Sequence, residues 1–372
     1  MFRLTSASDS ESPLYRICVS CVMDTSAPEI IFDSEGVCNY CVSVRKKIGM
    51  TWFPDRSGES KLIDIFAEVR QQGLGSNQKF DSILGLSGGI DSAVVAKRAV
   101  DAGLRPLAVH VDGGWNTEAS VENVRKVVQG LNLTLETIVI DWEEMRSLQL
   151  AFLKSGTLNQ DIPQDHAFFV SLYRIAIRKK IPVILSGLNY ATESVEPKSW
   201  GYSNSDGKHL LSVNSVHGST RLKNFPVMDY RKFLRLGKRQ AFKVIRPLDH
   251  GVYDPEKEKQ ELQSRFGWRP YGGKHSESLF TDWFQSVYMI DRYGIDKRRG
   301  HLASRVISGL ISREDAMSQL SSPPVNEADK SNLNRSVAEK LHLTLDELDA
   351  ILEIPHVSNH AFGTEFKSWL SP

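Results

Sequence analysis

Two groups of residues in this 372-residue chain have types and spacings suited to chemistry. The first is LGLSGGIDS, Leu84 to Ser92. Gly88 and Gly89 let the backbone approach an oxyanion with no Cβ in the way. Successive N–H groups and the start of a following helix supply donors and partial positive charge. Ser87 and Ser92 add hydroxyls, and Asp91 suits a Mg²⁺ bridging phosphates. An ordinary strand-to-helix turn with a good cap uses the same glycines, so the pair alone leaves both readings open.

The second group is Cys18, Cys21, Cys38 and Cys41, spaced C-x2-C-x16-C-x2-C and the only cysteines of the chain. Two C-x2-C knuckles suit tetrahedral Zn²⁺ held by four thiolates. Disulfides and an iron–sulfur cluster are the alternatives, the first disfavoured in a reducing compartment. A module of this size has too little core to stand alone, so the metal is expected to be structural.

The elements that must position these residues follow from hydrophobic periodicity. DSILGL, RPLAVHVDGG, TLETIVID and IPVILSGL read as strands. Between them SAVVAKRAVDAG, TEASVENVRKVVQGL, a stretch near 142–154 and HAFFVSLYRIAIRKK read as helices. Such alternation predicts an α/β fold with a doubly wound, mostly parallel sheet, whose ligands bind beyond the carboxyl ends of the strands. SGGIDS, HVDGGW and SGLNYATES all fall there. The expected organisation is a disordered polar tail (1–14), a zinc ribbon (15–50) in which EIIFDSEG forms a strand and turn, the sheet domain (51–250), a helical region (251–320), and a linker at SSPP followed by C-terminal helices (321–372).

Composition narrows the function classes. The chain is 41% hydrophobic and 24% charged, with 46 basic and 45 acidic residues and a net charge of +1. No apolar run approaches the roughly 20 residues that span a bilayer, and the N-terminus lacks a secretory pattern, so a cytoplasmic location is expected and membrane insertion is not. Basic residues gather only at Tyr230–Lys243 and Lys297–Arg305. That balance disfavours nucleic acid and suits a small anionic substrate.

In its strand–loop–helix setting, Ser87, Gly88, Gly89, Asp91 and Ser92 resemble the PP-loop, S-G-G-x-D-S, of the ATP pyrophosphatases, which include NAD, GMP and asparagine synthetases and tRNA thiolases. The resemblance implies an adenine nucleotide α-hydrolase-like fold, ATP and Mg²⁺, and release of pyrophosphate as a substrate oxygen is adenylated. His110 and Asp112 end the second strand, where relatives cradle adenosine. Gly187, Asn189 and Glu193 end the fourth, with Glu193 a second Mg²⁺ ligand. For Asp112 and Glu193 a helix-capping role is the alternative.

Over about Arg16 to Leu320, the segments RICVSCVMDTSAPEIIFDSEGVCNYC, PQDHAFFVSLYRIA, LSGLNYATES and YGGKHSESLFTDWFQSVYMIDRYGIDKRRGHLASRVISG are similar to the WbpG-like N-acetyl sugar amidotransferases of bacterial surface-polysaccharide (O-antigen, lipopolysaccharide) synthesis. That implies conversion of an acetamido group on a nucleotide-linked sugar to an acetamidino group, with ammonia from separate glutaminase and cyclase-like subunits. A zinc-ribbon tRNA-thiolating enzyme is the alternative, disfavoured because every cysteine lies in the N-terminal cluster. Within the resemblance, Lys274 neutralises phosphate charge and His275 shuttles a proton or donates to phosphate. Tyr271 and Gly273 belong to a close loop that binds substrate, and Lys297, Arg298 and Arg299 hold a diphosphate or sugar carboxylate unless they are only a solvated helix face. Gln164 and Asp165 open a helix on the substrate side, where Asp165 either caps it or orients substrate or metal.

Overall fold

The computed structural model describes residues 15–75, 78–229, 231–232, 235 and 242–365. The expected disordered tail (1–14), the end of the chain (366–372) and most of the basic stretch Tyr230–Lys243 lie outside the described residues.

Five parallel strands form one sheet in the order β3-β2-β1-β4-β5. They are β1 (Ser82–Gly85), β2 (Pro106–Asp112), β3 (Thr134–Val139), β4 (Val183–Leu185) and β5 (Lys243–Ile245). Central β1 and β4 are short apolar runs buried along nearly their whole length, as strands covered on both faces must be. Edge strand β3 alternates between exposed and half-buried residues. β5 is not separable from loop in the sequence: two of its three residues are exposed and no apolar run surrounds it, unlike β4.

Leu84 lies opposite both Ala108 and Leu185, so β1, β2 and β4 leave the sheet at a common edge. The chain steps one way through β1, β2 and β3, then returns to the far side of β1 for β4 and β5. Right-handed crossovers therefore put the helices Ile90–Asp101 and Glu118–Gly130 on one face and Ile162–Lys179 on the other. The reversal falls between β1 and β4, the position where such sheets open a crevice. The expected α/β fold with a doubly wound, mostly parallel sheet is the one observed.

EIIFDSEG does not form the expected strand. It makes a single bridge, Phe32 to Cys38, around a turn in which the Asp33 carboxylate accepts from the N–H groups of Glu35 and Val37. That side chain offers the backbone a local alternative to a ladder.

Beyond the sheet the chain is helical. Leu279–Trp283 runs through a π turn, Phe284–Tyr288, into Met289–Tyr293, followed by Arg298–Ile307, Arg313–Leu320, Glu327–Leu341 and Leu345–Leu352. The last two are fastened by Trp283 Nε1 donating to Asn334 and by Arg292 donating to the carbonyls of Ile351 and Leu352. None of the described helices is long and apolar enough to cross a membrane.

Candidate active site

The helix Ile90–Asp101 begins at Gly89 with no side chain capping it, whereas the helix Glu118–Gly130 is capped by Thr117 and Trp142–Ser155 by Asp141. Its N–H groups turn to hydroxyls at the crevice instead, Gly89 N donating to Ser87 Oγ at 3.1 Å. Gly88 has φ +88°, and a Cβ there would meet the Ser120 carbonyl oxygen at 2.2 Å, so only glycine fits. Its own carbonyl accepts from Trp268 Nε1 at 3.1 Å, which holds the loop open. Ser92 Oγ lies 3.3 Å from both Ser87 N and Ser87 Oγ, closing the loop across its base.

Four residues from three segments converge on Asp91. Tyr253 donates its hydroxyl to one carboxylate oxygen, and Lys274 Nζ approaches the other at 3.0 Å. Lys274 Nζ also lies 3.0 Å from Glu193 Oε1 and 2.8 Å from Thr192 Oγ1. Burial works against the lysine's charge, but the two carboxylates outweigh it and raise its pKa. Burial raises Glu193, with Lys274 pulling the other way. Two carboxylates that meet on one cationic nitrogen present the oxygen donors Mg²⁺ needs, so Asp91 and Glu193 fit a divalent ion. Bound there, it would neutralise phosphate oxygens.

The segment Tyr271–Ser278 closes the crevice from above. Thr117 N donates to Glu277 O at 3.0 Å and Asn116 bridges Ser278, so this segment is stitched to the turn after β2. Tyr271 Oη accepts from Ile90 N at 3.2 Å. His275 has φ +67°, a strained backbone for a ring-bearing residue, and its Nε2 lies 3.5 Å from Glu193 Oε1. Burial, then Lys274, pushes the imidazole down to about 3, so it is neutral at physiological pH.

Glu277, Tyr253, Thr192 and His301 were not singled out from sequence. Glu277 and His301 sit inside the two resemblance segments, YGGKHSES and KRRGHLASR, but nothing local separates them from neighbouring polar residues. A Cβ on Gly89 would touch Glu277 Oε1 at 2.9 Å, while the second Glu277 oxygen is buried with no hydrogen-bond partner. Burial raises this carboxyl to about 7. Between pH 4.5 and 7 the unfolded chain ionises Glu277 while the folded chain keeps it protonated, so its contribution to stability falls as pH rises through that window. Glu277→Gln is expected to stabilise the protein at pH 8 by up to about 3 kcal/mol, with the gain vanishing near pH 4.5. Urea unfolding at the two pH values measures it, and equal midpoints for variant and wild type at pH 8 would refute it.

The other expected residues divide. Asn189 is fully buried and caps the short turn Tyr190–Glu193, accepting from Thr192 N at 2.9 Å, so it shapes the loop that carries Glu193. Gly187 packs against the helix start, where a Cβ would meet Asp91 at 3.3 Å. His110 is buried, donating Nδ1–H to Leu86 O at 2.8 Å and accepting from Asn116 at 3.2 Å; it braces the PP-loop from behind. Asp112 accepts from Gly114 N at 2.9 Å. Gly273 stands exposed in the closing segment.

Gln164 accepts from Ser278 Oγ at 3.0 Å and donates to Asp161, tying the closing segment to the helix Ile162–Lys179. Asp165 is half-buried beside Asn204, and burial raises it to about 6. Lys297 pairs with Glu196 at 3.0 Å and its charge acts on His275, so it belongs to this neighbourhood.

Arg298 and Arg299 are both engaged by other parts of the chain. Arg298 is held by Asp296 at 2.6 Å and by the carbonyls of Gln319 and Ser322. Arg299 donates to Val22 O at 2.6 Å and pairs with Asp24 at 3.1 Å, inside the cysteine module. Both guanidiniums already have partners, which a run of three basic residues in sequence cannot reveal.

The four cysteines are fully buried and free, with their sulfurs within 4.8 Å of one another. Cys18 and Cys41 sulfurs are 3.9 Å apart, Cys21 and Cys38 sulfurs 3.7 Å. Tetrahedral Zn–S bonds of about 2.3 Å require an edge of about 3.8 Å, whereas an iron–sulfur cluster would spread its thiolates farther apart. N–H groups of Ser20, Met23 and Cys38 point at the sulfurs at 3.3–3.4 Å, as they do around thiolates. The donor set fits zinc.

Residues 65–191 match the NAD synthase family model, and residues 277–370 match the C-terminal domain of the family described as LPS biosynthesis protein WbpG-like. No curated protein matches the chain. Among solved structures, the NH3-dependent NAD synthetase of Campylobacter jejuni is 16% identical, with 72% of this chain and 99% of that one covered and a TM-score of 0.33. The NMN synthetase of Francisella tularensis is 18% identical, with 62% and 93% covered and a TM-score of 0.30. A predicted tRNA methyltransferase subunit from Methanocaldococcus jannaschii is 14% identical, with 49% and 75% covered and a TM-score of 0.28.

Proposed function

For a chain that joins an NAD synthase-type PP-loop domain to a WbpG-like C-terminal domain, we propose an ATP-dependent amidotransferase. It adenylates the acetamido oxygen of a nucleotide-linked N-acetyl sugar, releases pyrophosphate, and lets ammonia displace AMP to leave an acetamidino sugar. The observation that supports this most is Lys274: it lies just before the WbpG-like domain yet is bonded to Asp91 of the PP-loop and to Glu193. The segment between the two matched regions thereby reaches the phosphate cradle, and the polar group His275, Lys297, Glu196 and Asp165 lies on its other side.

The residues divide the work as follows. The N–H groups of Gly89 and Ile90, which donate to the Ser87 and Tyr271 hydroxyls, exchange those partners for the departing pyrophosphate. Asp91 and Glu193 would hold Mg²⁺, and Lys274 balances charge as the α-phosphorus is attacked by the amide oxygen. Neutral His275 holds or passes a proton beside Glu193. Ammonia reaches the site from separate glutaminase and cyclase-like subunits, since all four cysteines sit in the metal cluster and none remains as a glutaminase nucleophile.

ATP with ammonium chloride should yield AMP and pyrophosphate only when a UDP-linked diacetamido sugar is added, as read by nucleotide chromatography. ADP and phosphate as products, or turnover that instead requires tRNA, would overturn the proposal.

A further inference from the structure

The helix Arg298–Ile307 carries His301 against the turn that bears Glu193. Its Nδ1 lies 3.2 Å from the Thr192 carbonyl oxygen. A carbonyl only accepts, so Nδ1 carries the proton and Nε2 the lone pair. That Nε2 is shielded from solvent and meets no donor among the described residues. Thr192 places it at the reacting centre: its carbonyl takes His301, while its hydroxyl accepts from Lys274 at 2.8 Å. The His275 ring stands 5.5 Å away, centre to centre.

The groups facing His301 are Lys274 and His275 on the closing segment, Lys297 at the start of its own helix, and the Thr192 carbonyl. Burial and the positive neighbours push the imidazole well down, so it stays neutral. A shielded lone pair ringed by lysines repels metal cations and ammonium, and it accepts only from a small neutral donor.

We propose that Nε2 of His301 is the ammonia subsite, accepting a hydrogen bond from NH3 and then its proton as the C–N bond forms. This rests on the amidotransferase reading. The ammonia lone pair bonds to the carbon of the O-adenylated amide, giving a tetrahedral centre with a cationic nitrogen. One proton passes from that nitrogen to Nε2. The C–O bond to AMP then breaks, AMP leaves with the electron pair, and the amidinium remains. The imidazolium, destabilised by Lys274 and Lys297, hands the proton to the phosphate of the departing AMP, which carries it out of the site.

Binding can be read without turnover. In protein with ¹⁵N-labelled histidine, ammonium chloride titrated at pH 8.5 should shift one imidazole Nε2 resonance saturably. The same resonance should be missing in His301→Asn, whose amide can still donate to Thr192, and in His301→Gln. No saturable shift, as expected if the site takes only water, overturns the subsite. In turnover, His301→Asn should raise the KM for ammonia at least tenfold while ATP–pyrophosphate exchange with the sugar stays within about twofold; an unchanged KM also overturns it. If wild type shows no sugar-dependent exchange, the amidotransferase reading fails, and the titration still decides whether His301 binds ammonia.

Discussion

Lys274→Ala is expected to lower kcat by about 10²–10³-fold, in the range seen when one preorganised charge-stabilising donor is removed. ATP–pyrophosphate exchange should fall by a similar factor, because the affected step is attack on the α-phosphorus. The reason lies in the three oxygen acceptors that converge on one nitrogen: Asp91 at 3.0 Å, Glu193 at 3.0 Å and Thr192 at 2.8 Å. Without the lysine, two carboxylates face one another in a half-buried crevice, and Glu193, already raised by burial, is driven further toward its protonated form. Mg²⁺ then has weaker ligands at the moment phosphate charge must be matched. Lys274→Arg keeps the charge, but a planar fork cannot reproduce three contacts to a single point, so an intermediate loss is expected. Activity of the alanine variant within threefold of wild type would remove Lys274 from the mechanism.

Removing the metal should have the broader effect. Structural zinc contributes about 10–16 kcal/mol of apparent binding free energy to small modules, more than the whole stability of many domains. Here the module also anchors the active-site side of the molecule. Arg313 donates to the carbonyls of Cys18 and Cys21 at 3.0–3.1 Å, and Arg299 to Val22 and Asp24. Glu29 accepts from Ser199 N at 3.0 Å, in the loop beyond β4. Chelation, or Cys18→Ser, is therefore expected to abolish activity and to speed amide exchange across 298–320 as well as 15–50, because the helix carrying His301 loses its anchors. Metal analysis should find one zinc per chain. Visible absorbance of an iron–sulfur cluster, or full activity after complete zinc removal, would overturn the assignment.

Composition and periodicity were enough for the sheet core. DSILGL, RPLAVHVDGG, TLETIVID and IPVILSGL are apolar runs of strand length set between helical periods, and β1 to β4 sit inside them. Mostly exposed β5 was invisible, and EIIFDSEG misled because its Asp33 side chain outcompetes a ladder. The same contrast runs through the site. Ser87 to Ser92 were legible because a phosphate loop is built from consecutive residues whose backbone does the binding. So were the cysteines, where metal chemistry needs a fixed spacing within each knuckle.

What sequence could not supply was who meets whom across long separations. Lys297, Arg298 and Arg299 are indistinguishable as a basic run, yet Lys297 faces the polar side of the crevice, Arg298 clasps two distant carbonyls, and Arg299 pins the cysteine module. Tyr253, Lys274 and Asp91 converge only because the chain returns over the sheet edge. The chain's one-dimensional order thus determined the local chemistry: a phosphate cradle, four clustered thiolates, and strands buried on both faces. Tertiary structure alone decided which charges stay neutralised, which imidazole keeps an unpartnered lone pair, and which arginines are tied to other parts of the chain. Those properties depend on burial and on neighbours tens to hundreds of residues away, to which local periodicity is blind.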